Sequence, residues 1–193
     1  MIGAIIGDIV GSRFQFHDHK GKDFTFFAES CYPTDDSYMT LAIAKTFLYN
    51  KDLKDIEKLQ KDEIKFMKEI ASEHQDAGWG RGFYNFLFNE TKPYNSCGNG
   101  AGMRVSPVGW VAKSEEEVKF LSKAVTEISH NHEEGIKGAE AIAMSVYLAR
   151  NGKTIKEIKD RMIKDYYPQL ETMTLERLQR EYGYDDFGRW VTC

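Results

Sequence analysis

The chain has 193 residues, of which 41% are hydrophobic and 29% are charged, so it can bury a sizeable core and is too apolar to be intrinsically disordered. Its net charge of −4, without a basic block, argues against nucleic acid or an anionic membrane as the main partner. The three cysteines are widely spaced and form neither a zinc motif nor a disulfide framework, so we expect a cytoplasmic protein.

The N-terminal segment, MIGAIIGDIVG, is apolar and rich in glycine. Gly3, Gly7 and Gly11 are four residues apart, so on a helix they would share one face, and we expect another helix to approach this face closely. The segment is too short to cross a bilayer and lacks the basic start of a signal peptide, so we expect neither an anchor nor a leader. Asp8 and Ser12 are expected to be polar groups that find partners inside the fold.

Thr34, Asp35 and Asp36 precede a segment, residues 38–48, that is apolar on nearly every side of a helix and is therefore expected to be buried. Thr34 could cap this helix, and one acidic residue in the first turn would suit the helix dipole. Two adjacent carboxylates at a buried helix start are costly to desolvate, however, unless a cation is bound. Hydroxyl and carboxylate oxygens are the ligands that Mg²⁺ or Mn²⁺ prefers, so a cap and a metal site both stay open.

Helical periodicity continues along much of the chain. Apolar residues recur at helical intervals in two charged segments, 53–70 and 118–128, and a third segment, 136–148, is apolar on more than one face. Three pairs of residues have the spacing of helix caps: Ser114 with Glu117, Thr154 with Glu157, and Asn151 with Gly152. No alternating strand pattern is evident, so we predict an all-α fold.

Residues 76–113 are rich in Gly and Asn, and we expect a long functional loop there. Within it, Ser96 to Arg104 read SCGNGAGMR, with three glycines in five positions. Glycines so closely spaced can let backbone N–H groups line up around an anion. An ordinary turn before a helix is the alternative, and the lysine of a Walker motif is absent.

Two histidines lie in the segment SHNHEE, residues 129–134. His130 and His132 are two residues apart, which does not place them on one helical face, so a zinc pair on a helix is disfavoured. Ser129 or Asn131 could cap the helix that follows. The segment is either a polar junction between helices or a place from which a histidine donates to a substrate.

Four segments, in this order, resemble the ADP-ribosylglycohydrolase family. They are GAIIGDIVGSRF (3–14), PTDDSYMTLAIA (33–44), PYNSCGNGAGMRVSPVGW (93–110) and ISHNHEEGIKGAEAIA (128–143). Four motifs in a fixed order are far more specific than any one of them. The resemblance implies an all-α, orthogonal multi-helix bundle, here one domain over residues 1–193, and a hydrolase that cleaves bonds between ADP-ribose and an acceptor, often an arginine side chain.

The resemblance also implies roles for particular residues. A Mg²⁺ or Mn²⁺ centre would be bound by Thr34, Asp35 and Asp36, and Asp35 and Asp36 would be catalytic. The remaining implied positions shape the ADP-ribose site or contact the ligand: Gly98, Asn99, Gly100, Met103 and His130.

The chain departs from the family pattern in two places. Gln15 stands where the family usually has glutamate, and glutamine can neither act as a general base nor supply a ligand charge. The family's second metal-binding run, of the type Gly-Gly-Asp-Ser-Asp-Thr, does not occur, and Asp185 and Asp186 form the only later acid pair, which we expect on a solvated turn. We therefore expect a domain shortened at its C-terminus, with weak metal binding and slow or absent hydrolysis.

A shortened bundle would leave apolar surface without cover. We expect this surface on the helices of residues 35–49 and 133–150, and we expect a homo-oligomer or a partner chain to cover it. A non-catalytic ADP-ribose-binding or assembly protein is the alternative from another class, and a split enzyme whose partner supplies the absent acidic run is a third.

Overall fold

A computed structural model describes residues 1–181 apart from 16 and 18, and all regular secondary structure in these residues is helical. The predicted all-α class is confirmed for this part of the chain, and Asp185 and Asp186 lie outside it. The α-helices in chain order are α1 (Ile2–Gly11), α2 (Asp35–Tyr49), α3 (Ile56–Glu73), α4 (Arg81–Phe88), α5 (Gly100–Arg104), α6 (Ser106–Val111), α7 (Glu115–Thr126), α8 (Glu133–Arg150), α9 (Ile155–Asp165) and α10 (Leu175–Glu181). Short 3₁₀ helices span Ser12–Phe14 and Pro168–Glu171.

The core lies where α2 packs on α3 and where α8 packs on α5, α6 and α7. Helix α2 is buried on several sides, as its apolar sequence predicts, because it contacts α1, α3, α5 and α6. The largest apolar side chains that are fully buried come from six different helices and from Val105, between α5 and α6. They are Met39, Ile43, Leu59, Met67, Phe86, Val105, Val108, Val118, Leu121 and Met144. The fold therefore places the start of α2 and the short helix α5 around one shared core.

The predicted helix caps are confirmed in two of three cases. Thr154 and Glu157 form a complete capping box at the start of α9. Gly152 follows α8 with a φ of +80°, as a left-handed C-terminal residue. Ser114 caps α7, but the Glu117 carboxylate accepts from the N–H of Lys113 instead of returning to Ser114, so only half of that box forms.

The expected long loop over residues 76–113 is wrong, because α4, α5 and α6 lie within it. These helices have eight, five and six residues, too few for a helical period to stand out in the sequence. They are held by burial instead. Phe83, Phe86 and Leu87 of α4 are in the core, and Pro107 lies in the first turn of α6, where a missing N–H costs nothing.

The expected close packing at Gly3, Gly7 and Gly11 is also wrong. No heavy atom among the described residues lies within 4 Å of a Cβ built at any of the three. All three glycines are exposed, and Val10 is the one residue of α1 that is buried. Helix α1 thus contacts α2 through residues other than these glycines, among them Asp8.

The expected exposure of apolar surface is borne out on one of the two helices. Leu41, Leu48 and Tyr49 of α2 are 45%, 72% and 67% exposed. Helix α8 exposes no large hydrophobic side chain, because α5, α6, α7 and α9 cover it. Within the described ranges, no helix combines the length and the apolar character needed to span a membrane.

Candidate active site

Thr34 caps helix α2. Its backbone is extended, with φ −109° and ψ −170°, and its hydroxyl oxygen accepts from the N–H of Asp36 at 3.4 Å. The N–H of Asp35 donates to the carbonyl of Ala77 at 3.0 Å, which ties the first turn of α2 to the segment before α4. The cap interpretation is therefore correct for Thr34. Whether this helix start can also bind a metal depends on Asp35 and Asp36.

Asp8 of α1 holds the start of α2 in place. Its Oδ2 accepts from the N–H of Thr34 at 2.9 Å and from the N–H and hydroxyl of Ser37 at 3.2 and 2.5 Å. Its Oδ1 accepts from the Thr34 hydroxyl at 2.5 Å. The expectation that Asp8 finds partners inside the fold is confirmed. The sequence analysis did not predict that Asp8 anchors α2. The signal for this role was a single carboxylate in an otherwise apolar helix.

Asp35 and Asp36 lie half-buried beside each other in the first turn of α2. Burial, then repulsion from Asp36 and from Asp8, raises the pKa of Asp35 to about 7. Burial and then repulsion from Asp8 raise the pKa of Asp36 to about 6. Neither carboxylate forms an ion pair with a described lysine, arginine or histidine. Both are therefore groups whose charge a bound cation would stabilise.

Gly78 and Gln15 border Asp35. Gly78 has a φ of +91°, which favours glycine, and a Cβ built on it would lie 3.9 Å from Oδ1 of Asp35 and 4.0 Å from Nε2 of Gln15. Gln15 and Asp35 thus both approach Gly78, and the amide of Gln15 can donate or accept a hydrogen bond but brings no charge. The sequence had singled out Gln15 but not Gly78.

The donors at the start of α2 fit a hard cation in their chemistry. Asp35 and Asp36 supply carboxylate oxygens, and the Thr34 hydroxyl keeps one lone pair after donating to Asp8 and accepting from Asp36. Only two of these three donors, Asp35 and Asp36, can carry a negative charge. In the part of the chain that the structure describes, no three His, Cys, Asp or Glu side chains are grouped as a metal site.

The glycine turn, residues 98–102, lies before and within α5, with Gly98 and Asn99 exposed and Gly100 half-buried. None of its glycines has a positive φ, so they are not required for a left-handed turn. Two of them, Gly100 and Gly102, lie where space is tight. A Cβ at Gly100 would lie 2.7 Å from Nε2 of His130, and one at Gly102 would lie 2.7 Å from Cδ1 of Ile142.

His130 lies directly below this turn and is 3% exposed. Its Nδ1 is 2.8 Å from the Ser129 hydroxyl oxygen, and its Nε2 lies 2.7 Å from the Cβ position built on Gly100. Burial and then the nearby Arg104 charge lower the pKa of His130 to about 3. The imidazole is therefore neutral at physiological pH and lies against the glycine turn. In the sequence, only the family resemblance connected His130 with these glycines.

Arg104 is the centre of this cluster, and sequence reasoning gave it no role. It is 1% exposed and donates from Nη1 to the Gly100 carbonyl at 3.0 Å and from Nη2 to the Ser129 hydroxyl at 2.8 Å. Its guanidinium carbon lies 5.2 Å from the centroid of the Phe83 ring. Arg104 thus connects the turn to the residue that precedes His130.

Glu63 of α3 is a second buried ionisable group that the sequence analysis missed. Burial raises its pKa well above the usual range, and the charge of Arg104 opposes that shift. Both carboxyl oxygens lack a hydrogen-bond partner among the described residues. Its position offered a signal, because Glu63 lies one helical turn from Leu59 and from Met67 on a buried face.

His132 caps helix α8, with Nδ1 accepting from the N–H of Glu134 at 3.1 Å. The expectation that Ser129 or Asn131 caps this helix is therefore wrong. The Asn131 side chain instead accepts from the N–H of Asn95 at 2.8 Å. For His132 the polar junction is the correct interpretation.

Met103 links the two parts of the candidate site. The Thr40 hydroxyl of α2 donates to the carbonyl of Met103 at 3.3 Å, and the Met103 side chain is half-buried against the core. Helix α2, which begins with Asp35 and Asp36, therefore packs directly on the helix that carries the glycine turn.

An all-helical fold with this acidic helix start and this glycine turn fits the family named above, and the family model for ADP-ribosylglycohydrolases matches residues 1–189. The chain belongs to the ADP-ribosylglycohydrolase family. It is similar to ADP-ribosylhydrolase ARH3 of Homo sapiens, with 24% identity over 221 residues that cover 96% of this chain and 59% of that protein. ARH3 of Mus musculus is 25% identical over 191 residues, which cover 81% of this chain and 50% of that protein. The chain thus spans between 50% and 59% of the length of these relatives.

Replacing Gly100 with alanine should disturb the cluster, since the new Cβ would lie 2.7 Å from Nε2 of His130. We expect the free energy of unfolding to fall by about 1–3 kcal/mol, the usual cost of overpacking. Urea unfolding followed by circular dichroism measures this change. Gly80→Ala is the matched control, because nothing lies within 4 Å of its Cβ, and equal effects of the two substitutions would contradict the geometry.

The buried imidazole predicts a pH dependence of stability. The pKa of His130 is about 3 in the fold and 6.5 in the unfolded chain, so the unfolded chain takes up a proton first as the pH falls. Below about pH 6.5 this residue should therefore cost stability, at up to about 1.4 kcal/mol per pH unit, until the pH nears 3.

The measurement is urea unfolding from pH 7 down to pH 4 for the wild type and for His130→Asn. The free energy of the wild type should fall more steeply with acid than that of the variant. His17→Asn makes the same exchange at an exposed histidine and should keep the wild-type slope. Parallel curves for the wild type and His130→Asn would contradict the assignment.

Proposed function

We propose that this chain is a metal-dependent hydrolase of ADP-ribosyl linkages, acting on an ADP-ribosylated protein side chain or a related conjugate. Membership of the ADP-ribosylglycohydrolase family supports the reaction class. The observation that carries the site assignment is the pair of half-buried carboxylates, Asp35 and Asp36, whose pKa values are raised and which have no basic partner among the described residues.

Thr34, Asp35 and Asp36 would hold Mg²⁺ or Mn²⁺, with Asp35 and Asp36 as the catalytic residues. When bound, a divalent ion supplies polarisation of ribose hydroxyls and activation of water. The role of Asp8 is to fix Thr34 through two hydrogen bonds, so that the hydroxyl points in a constant direction. Gln15, beside Asp35, can orient a hydroxyl or a water molecule but cannot take its proton.

The ADP-ribose ligand would lie against the glycine turn. Its contacts would come from Gly98, Asn99, Gly100, Met103 and His130. Exposure of Gly98 and Asn99 leaves this turn accessible, and the buried neutral His130 beneath it offers a hydrogen-bonding nitrogen without a charge. The contact between Thr40 and Met103 supports one continuous site, because it joins the acidic helix to the turn.

We propose that the chain by itself binds its metal weakly and hydrolyses slowly or not at all. The donor set carries two carboxylates, and Gln15 adds no charge to it. If a partner chain adds acidic ligands, the two chains together are a split enzyme. If this chain binds ADP-ribose without turnover, it is a non-catalytic ADP-ribose-binding protein. We also propose a cytoplasmic location, and an oligomer or partner chain over the exposed α2 face.

The test is an assay of ADP-ribosyl-arginine and ADP-ribosyl-serine peptides with Mg²⁺, with Mn²⁺ and with EDTA, beside calorimetry with ADP-ribose. The proposal expects ADP-ribose binding and slow cleavage that EDTA abolishes. Binding without any cleavage, even at high enzyme concentration, would favour the non-catalytic alternative. Absence of ADP-ribose binding together with absence of cleavage would overturn the proposed function.

A further inference from the structure

Ser129 lies between a guanidinium group and an imidazole ring. Arg104 Nη2 is 2.8 Å from the Ser129 hydroxyl oxygen, and that oxygen is 2.8 Å from Nδ1 of His130. Ser129 itself is completely buried, so water does not reach its hydroxyl from the surface. The positions of the hydrogens in this chain of three groups follow from what each group is able to donate.

An arginine side chain is always protonated and is only a donor, so Arg104 must donate to Ser129. That bond occupies one lone pair of the hydroxyl oxygen and leaves its own hydrogen in need of an acceptor. A buried donor without an acceptor costs about 1–3 kcal/mol. Nδ1 of His130 is the other group within hydrogen-bond distance of this hydroxyl among the described residues, so the hydroxyl donates to Nδ1.

We propose that Ser129, held by Arg104, fixes His130 in the tautomer that carries its proton on Nε2 and aims this N–H at the glycine turn, where it donates to an acceptor oxygen of the bound ligand. The ligand in this statement rests on the proposed function. Ser129 and Arg104 are positioning residues, since they act through His130, whose Nε2 lies 2.7 Å from the Cβ position of Gly100.

Arg104 is itself well fixed, which makes the arrangement stable. Its Nη1 donates to the carbonyl of Gly100, and its guanidinium carbon lies 5.2 Å from the centroid of the Phe83 ring. The same side chain therefore holds the backbone of the turn and sets the proton of His130. A ligand oxygen within hydrogen-bond distance of Nε2, beside Gly100, would meet an N–H donor that is already oriented, so little ordering is needed when it binds.

The experiment records nitrogen-15 spectra of the histidine side chains for the wild type, Ser129→Ala and Ser122→Ala. His130→Asn assigns the signal. Ser122 is the matched control, because it is equally buried but its hydroxyl donates to the carbonyl of Lys119 and not to a histidine. The affinity for ADP-ribose is measured on the same samples by calorimetry.

The wild type and Ser122→Ala should show a neutral ring with a bare Nδ1 and a protonated Nε2. Ser129→Ala should move proton population to Nδ1 and weaken ADP-ribose binding about tenfold, the loss of one buried hydrogen bond. A wild-type ring protonated on Nδ1, or an unchanged tautomer in Ser129→Ala, would overturn the proposal. The spectra decide this even when ADP-ribose does not bind, an outcome that would count against the proposed function instead.

Discussion

Replacing Asp35 with asparagine should make the metal-free protein more stable and remove its response to Mn²⁺. The pKa of Asp35 is raised to about 7, mainly by burial and then by the neighbouring charge of Asp36, so the ionised carboxylate destabilises the fold at higher pH. Removing that charge should raise the free energy of unfolding by roughly 1–3 kcal/mol above neutral pH, since one pKa unit corresponds to about 1.4 kcal/mol.

Urea unfolding in EDTA and in Mn²⁺ measures both parts of this prediction. Mn²⁺ should stabilise the wild type, because it binds the folded state, and should leave Asp35→Asn unchanged. Glu116→Gln is the matched control, because it removes an exposed acidic charge from the first turn of α7, where that charge is favourable. A less stable Asp35→Asn protein, with no Mn²⁺ effect on either form, would favour a simple helix cap.

Replacing Asp8 with alanine should destabilise the protein more than any other single change considered. It would leave four donors of Thr34 and Ser37 without their acceptor, two backbone N–H groups and two hydroxyls. Hydrogen bonds to a charged acceptor contribute about 1.5–3 kcal/mol each, so we expect a loss of roughly 3 kcal/mol or more even after partial rehydration.

The comparison is between Asp8→Ala, Asp8→Asn and Asp23→Ala in urea unfolding. Asparagine keeps one acceptor oxygen, so its effect should lie between that of alanine and the wild type. Asp23 lies in an exposed loop and should tolerate alanine with little change. An Asp8→Ala protein as stable as the Asp23→Ala protein would show that Asp8 does not anchor α2.

The long helices could be predicted because their signals are local. Residues 136–148 lie within α8, and the residues that end α8 and begin α9 form caps with partners three or four positions away. Thr154 and Glu157 satisfy each other across three positions, so their identities suffice. The same reasoning failed for Glu117, whose carboxylate accepts from the N–H of Lys113, one residue before the expected donor.

The candidate site could be predicted only in part because its contacts are long-range. Thr34 was singled out, but its acceptor, Asp8, is 26 positions away, and Ser37, which bonds the same carboxylate across 29 positions, was not. Arg104 donates to the hydroxyl of Ser129, 25 positions along the chain, and no local sequence pattern predicts that hydrogen bond. The glycines of α1 show the reverse error, since their spacing predicted a packed face that is exposed in the fold.

The start of α2 shows that a cap and a metal site are not exclusive alternatives. Thr34 satisfies the cap by itself, and the hydrogen bonds of Asp8 already hold the helix start. Asp35 and Asp36 are therefore not needed to cap the helix, and both carry a raised pKa. Residues that are costly to the metal-free fold, yet unnecessary for its caps, are candidates for function.

Direct binding of Mn²⁺, followed through the loss of the paramagnetic resonance signal of free Mn²⁺, tests the central claim that Asp35 and Asp36 hold a divalent ion. The wild type should bind Mn²⁺ weakly but saturably, and Asp35→Asn and Asp36→Asn should each abolish saturable binding, while Glu116→Gln keeps it. Wild-type protein that shows no saturable Mn²⁺ binding, or aspartate variants that bind as the wild type does, would contradict it.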